Sequence, residues 1–347
     1  MRESARSKRN RVRILDNRGA TSTTMVIVVA LAVALVVAGY SLVRLNRATA
    51  PVAGLKIGLL PITDALPFFV AEQKGYFAAE KVQVELVNFK SALERDAAIQ
   101  AGQTDGQVAE LIASAALLAG GTPVKVGSIS LGVTPEEGRM AILSSPKSNI
   151  TKVDDLKGVE IAVSPNSIIE YTVDRMLTLK GFTAAQIKKS VIPAIPVRLQ
   201  MLMADQIKAT ALPDPLATLA QNQGAHLIID DSKGENISQS VILLRQDAVD
   251  KKTTSVERMF KAYNKAVADI NANPNAYRDL LVAKAGLPGP LKGSYKVDPF
   301  STAQVPTKGQ VQKVVDWMVA KKLISSPVSY DQLVTTKFAP TTTGTGK

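Results

Sequence analysis

Ten short apolar runs of strand character, separated by helix-like segments, fill the chain from Leu55 to about residue 245. They are Leu55–Leu60, Val82–Val87, Gly106–Ala109, Val124–Ser130, Arg139–Ser144, Glu160–Val163, Ser190–Val191, Ala209–Leu212, His226–Ile229 and Gln239–Leu244. Val82, Gln83, Val84, Glu85 and Leu86 show the two-residue period of a strand. Helical stretches such as Pro67–Gln73 and Ile168–Leu179 lie between the runs, and the alternation predicts parallel sheets covered by helices. After Val249 the character changes: "SVERMFKAYNKAVADINANPNAYRDLLVAKAG" has helical periodicity and almost no strand. Residues 336–347 read as a disordered tail.

With 347 residues, 46% of them hydrophobic, the chain can fill two or three cores. It has no cysteine and a single histidine, His226. That composition excludes disulfides, thiolate metal sites, cysteine nucleophiles and histidine-rich metal sites. The net charge of +12 does not point to nucleic acid, because the first 24 residues hold seven basic and two acidic side chains. The rest is an ordinary solvated surface with a basic tilt, and no nucleic-acid partner is expected.

Next comes "MVIVVALAVALVVAGYSLV", Met25 to Val43, without a charge. At about 1.5 Å per residue it is long enough to cross a hydrocarbon core, and it lacks the polar face of a buried globular helix. Basic residues on its N-terminal side predict a cytoplasmic tail at 1–24, a membrane-spanning helix at 25–43, a linker at 44–54 and everything later outside. "ATA" at Ala48 to Ala50 resembles a peptidase site, but Pro51 would follow the cut, so a retained anchor is the expectation.

Strands that feed helices through polar elbows leave backbone N–H groups free to meet something. "LKIGLLPITDA" ends in such an elbow, at Thr63 and Asp64. An internal echo suggests two such edges: "AIQAGQTDGQVAEL" (Ala98–Leu111) and "MLMADQIKATALPD" (Met201–Asp214) share helix end, turn, short strand and acidic residue. Ligands of open α/β sheets bind beyond the C-terminal ends of strands, so two similar edges face to face would form a cleft.

The stretch "LPFFVAEQKGYFAAEKVQVELVNFKSALERDAAIQAGQTDG" resembles the opening lobe of extracytoplasmic substrate-binding proteins of ABC importers. The subgroup is the NMT1/THI5-like one, which serves nitrate, sulfonate, taurine and thiamine-precursor uptake. "GRMAILSSPKSNITKVDDLKGVEIAV" and "IKATALPDPLATLA" extend the resemblance, which runs in consistent order over roughly residues 55 to 330. It implies an α/β, two-lobed periplasmic-binding-protein type II fold. Lobe 1 would hold 55–138 and 245–335, and lobe 2 would hold 139–244. Two crossing strands would form the hinge, marked by Arg139 and Leu244. The expected partners are a small-molecule ligand, permease and ATPase subunits, and the membrane through the N-terminal helix. The protein is expected to act as a monomer without a cofactor.

Each candidate site residue has two readings. Thr63, Asp64 and Ala65 either present side chains and N–H groups to a ligand or cap the helix at Pro67. Glu110 and Asp214 either offer carboxylates to an amine, amidine or aminopyrimidine, or serve the helix starts beside them. Asn166 and Ser167 can cap a helix and also touch ligand, while Tyr171 either stacks on a planar ligand or packs on its sheet. Arg139 suits an anion or a salt bridge at the hinge. Few basic residues stand at the other elbows, which favours a neutral or cationic nitrogen-containing ligand. The alternatives to import are a sensor module with a membrane partner, or a pyrimidine-synthesis enzyme. The enzyme reading suffers because the chain lacks the histidine and cysteine resources it would use.

Overall fold

The computed structural model describes residues 52–233 and 237–338. The expected cytoplasmic tail and membrane anchor lie outside the described residues, and among those described no helix is long and apolar enough to cross a membrane.

Among the described residues, ten strands form two five-stranded sheets. Sheet A contains β1 (Leu55–Leu59), β2 (Val84–Asn88), β3 (Gly106–Glu110), β4 (Val124–Leu131) and β10 (Ser240–Arg245), in the order β2-β1-β3-β10-β4. Sheet B contains β5 (Met140–Ser144), β6 (Glu160–Val163), β7 (Lys188–Val191), β8 (Ala209–Pro213) and β9 (His226–Asp230), in the order β7-β6-β8-β5-β9. The helices of the first pass are α1 (Leu66–Gln73), α2 (Tyr76–Ala79), α3 (Ala92–Gln100) and α4 (Leu111–Ala119). Around sheet B stand α5 (Ile168–Leu179), α6 (Ile195–Met203) and α7 (Leu216–Asn222). The chain then returns through α8 (Gln246–Lys251), α9 (Thr253–Ala272), α10 (Arg278–Lys284), α11 (Lys308–Ala320) and α12 (Tyr330–Leu333).

Both sheets are mixed, whereas the alternation predicted parallel ones. β1 runs parallel to β2 and β3, but β10 lies antiparallel between β3 and β4. Likewise β6 is parallel to β7 and β8, while β5 is antiparallel to β8 and β9. The registers give the reason. Met140 pairs with Pro213, the last residue of β8, and Ser240 pairs with Glu110, the last residue of β3. Each reversed strand therefore enters its new sheet at the C-terminal edge. Two crossings join these edges, one at 132–139 and one whose described residues are 231–233 and 237–239.

Arg139, one of the two expected hinge residues, adjoins the start of β5. Leu244 lies inside sheet A, paired with Gly106 on one side and Lys125 on the other. The described residues of the two crossings adjoin both sheets. They are braced to one another: Gln239 Nε2 donates to Gly132 O at 2.9 Å, and Met140 N donates to Asp231 Oδ1 at 2.7 Å.

β10 shows how one strand serves two cores. Ile242 and Leu244 join a cluster with Phe68, Met259 and Tyr263, and Val241 and Leu243 join one with Leu111, Val315 and Met318. This is the alternation of a strand buried on both faces. The 20-residue α9 lays its apolar stripe on α1, where Phe68 and Tyr263 meet at 5.2 Å. Ordered packing continues past residue 336, where the tail was expected, because Phe338 stacks on Phe260.

Candidate functional site

The edge of sheet A collects charge. Asp64 lies in the 3₁₀ turn Thr63–Ala65 after β1, and its side chain caps no helix. Its residue is only 5% exposed, and Oδ1 has no hydrogen-bond partner among the described residues. Burial, opposed by a hydrogen bond from Ser240 and reinforced by Glu110, pushes its pKa up to about 6. Arg95 of α3 is buried beside it. Nη1 donates to Val108 O at 2.8 Å, Nε to Asp96 at 3.0 Å and Nη2 to Glu110 at 3.4 Å. Three carboxylates thus gather around one guanidinium. Behind them Ser130 Oγ donates to Asp64 O, and Tyr263 OH donates to Ser130 O.

Thr63 stands half-buried on the same turn. Ala65 is different: its side chain is wholly in the core and its N–H donates to Ile62 O.

At the edge of sheet B most predicted residues are occupied by the protein itself. Ser167 caps α5, accepting from Ile169 N and donating to Ser164 O. Asn166 is exposed at φ +56°, and its N–H donates to Glu170. Tyr171 is 2% exposed and meets Trp317 edge-on with centroids 5.3 Å apart, which is the packing reading. Asp214 takes two bonds from Arg139, at 3.0 and 3.1 Å, and two from Thr218 at the start of α7. Arg139 also faces Asp230 at 3.5 Å. Its ion pairs with Asp214 and Asp230 lie within the second half.

Arg198 escaped the sequence reading. It is 0% exposed on α6, with Nη1 donating to Ser164 Oγ, Ile192 O and Pro193 O. Nε and Nη2 have no partner among the described residues, and burial alone pulls its pKa down to about 10. The echo held the signal. Arg198 follows Arg95 by 103 residues, the offset that separates the strand starts Gly106 and Ala209.

Between the two edges lies a hollow of about 10 Å³, room for one water molecule. Leu111, Ile168, Tyr171, Gln239 and Val314 are among its walls, and neither Asp64 nor Asp214 is. The surroundings of the two carboxylates meet instead through Glu137 in the first crossing. Its charge acts on Tyr263 on one side and on Asp298, which also feels the charge of Asp214, on the other. The Glu137 carboxylate accepts from Gly132 N and Val133 N and from Ser301 Oγ.

Two mixed sheets joined twice at their C-terminal edges define the periplasmic-binding-protein fold, and solved structures bear this out. The aliphatic sulphonate binding protein SsuA of Escherichia coli aligns with a TM-score of 0.71 at 20% identity, covering 80% of this chain and 96% of that one. The nitrate-binding protein NrtA of Synechocystis aligns at 0.63 and 14% identity, covering 83% and 87%. The desulfurization enzyme DSZB aligns at 0.63 and 15% identity, covering 82% and 97%. The chain itself belongs to the NMT1/THI5-like family, whose model matches residues 62–277. Comparison with curated protein sequences finds no match.

Proposed function

We propose that this chain is the extracytoplasmic solute-binding subunit of an ABC importer, closing its two sheet edges on a small molecule. One observation carries the ligand class: three carboxylates share one arginine at the edge of sheet A, and buried Asp64 keeps an unpartnered oxygen. A cationic nitrogen would supply both the missing donor and the missing charge. Entry requires the edges to part, because Asp64 is only 5% exposed in this arrangement. Hinged opening about the two crossings is the motion this topology allows.

A binding role fits better than catalysis. His226 pairs with Ser144, the last residue of β5, and so lies at the edge of sheet B away from the crossings. No cysteine exists to act as nucleophile.

A second reading rests on Arg198. A buried guanidinium without a carboxylate suits an oxyanion delivered by the ligand, and solved proteins of like fold are named for sulphonate and nitrate binding. Thermal shift of the full chain against aminated heterocycles, alkylamines, sulfonates and nitrate separates the two. Stabilisation by amines that Asp64→Asn abolishes supports the first reading. Stabilisation by oxyanions that Arg198→Met abolishes replaces it with the second.

A further inference from the structure

The helix α11 belongs to the first half by its packing. It lies on α4 and α12, and Val334 just after α12 bridges Val126 of β4. From that seat two side chains reach across to α5 in the second half. Trp317 sets its ring edge-on to Tyr171, and its Nε1 donates to Asp174 Oδ2 at 3.0 Å. Lys321 Nζ lies 2.7 Å from Glu170 Oε1 and 3.7 Å from Asp174 Oδ2.

The same two carboxylates also hold Lys189 of β7, at 2.9 and 2.6 Å. Two acids and two lysines balance, with one lysine supplied by each half. Glu170 is well buried, with 8% of its side chain exposed, and the opposing pull of Lys321, Lys189 and the Asn166 N–H outweighs that burial to hold its pKa near 2. Tyr171 and Val314 of these helices also wall the narrow hollow between the sheet edges.

We propose that Trp317 and Lys321 form a brace that holds the two halves in the closed arrangement and must release α5 for a ligand to enter. This rests on the reading of the chain as a binding protein whose halves part. The contact suits a switch because it is made by long side chains and ion pairs, not by interlocked backbone. Its strength is therefore comparable with the small differences that separate populated conformations. Release leaves Glu170 and Asp174 with Lys189, so the second half retains a counter-charge for its acids when open.

The sequence offers its own reporters. Trp317 is the single tryptophan, and the chain has no cysteine. Spin labels can be attached to the full chain through Leu93→Cys and Val191→Cys, exposed positions on α3 of the first half and on β7 of the second. Without any ligand, Lys321→Ala is expected to raise the long-distance population about tenfold, the consequence of losing about 1.4 kcal/mol. Trp317 emission should move to the red and become more open to acrylamide. Lys321→Arg should restore both readouts. Distances and emission that stay as in the parent chain, with Lys321→Ala still folded by its melting curve, would overturn the brace. Because no ligand is used, failure of the brace is distinguishable from failure of the ligand assignment.

Discussion

Arg95 and Arg198 occupy corresponding places in the two halves, each on the helix before the third strand of its sheet. Around Arg95 stand Asp96, Glu110 and Asp64. Around Arg198 there are two carbonyls and a hydroxyl, and no carboxylate pairs with it among the described residues. The first edge is therefore acid-rich around a satisfied cation, and the second is a buried cation around satisfied dipoles. The same scaffold position has been given opposite electrostatic balances, so a ligand can meet different chemistry from each side.

The largest effect should come from removing the first arginine. Arg95→Met leaves its carboxylates without a counter-charge, expected to cost about 3–5 kcal/mol in urea unfolding. Arg198→Met removes a cation that no carboxylate pairs with among the described residues, and the lost carbonyl and hydroxyl contacts are worth about 1–3 kcal/mol at most. Equal losses would dissolve the contrast between the halves.

Next in size is Asp64→Asn. Affinity for a cationic ligand should fall about 10- to 100-fold, the loss of one charge-assisted hydrogen bond of about 1.5–3 kcal/mol. The melting temperature without ligand should hold or rise, because the ionised carboxyl is disfavoured by burial. Calorimetry with the ligand found by screening checks the first, and a melting curve the second.

Acidity sharpens the contrast further. Asp64 titrates at about 6 in the folded chain against 3.8 ordinarily. Its folded state holds the proton more tightly, so its contribution to stability is greatest below 3.8 and is lost as pH rises through 6. Capture of a cation runs the other way, since it needs the ionised form, and should weaken about tenfold by about pH 5. Glu170 has the opposite sign. Its pKa falls from 4.5 to about 2, so its stabilisation is present above 4.5 and disappears as pH drops towards 2. The smallest effect is that of Ser167→Ala, a lost helix cap worth about 1 kcal/mol in unfolding.

Much of the fold was legible because strand and helix periods are local. Each of the ten expected strands appears, with ends shifted by a residue or two. The echo marks α3–β3 and α6–β8, the same third-strand position in both sheets. The reversal of β5 and β10 was not legible, since it follows from the route between sheets and not from any pattern within a strand. Site residues were harder for the same reason. Asp64 could be placed because its elbow adjoins its strand. Tyr171 is claimed by Trp317, and Asp214 by Arg139, through contacts between residues far apart in sequence. Arg198 looked like any helical arginine until its burial was known.

That a small cationic molecule is gripped by the sheet A edge is tested most directly by calorimetric titration of the full chain and its Asp64→Asn variant with aminated ligands. Saturable binding to the parent chain that the variant loses is the expected result. Binding of equal strength in both, or binding only by oxyanions, would contradict it.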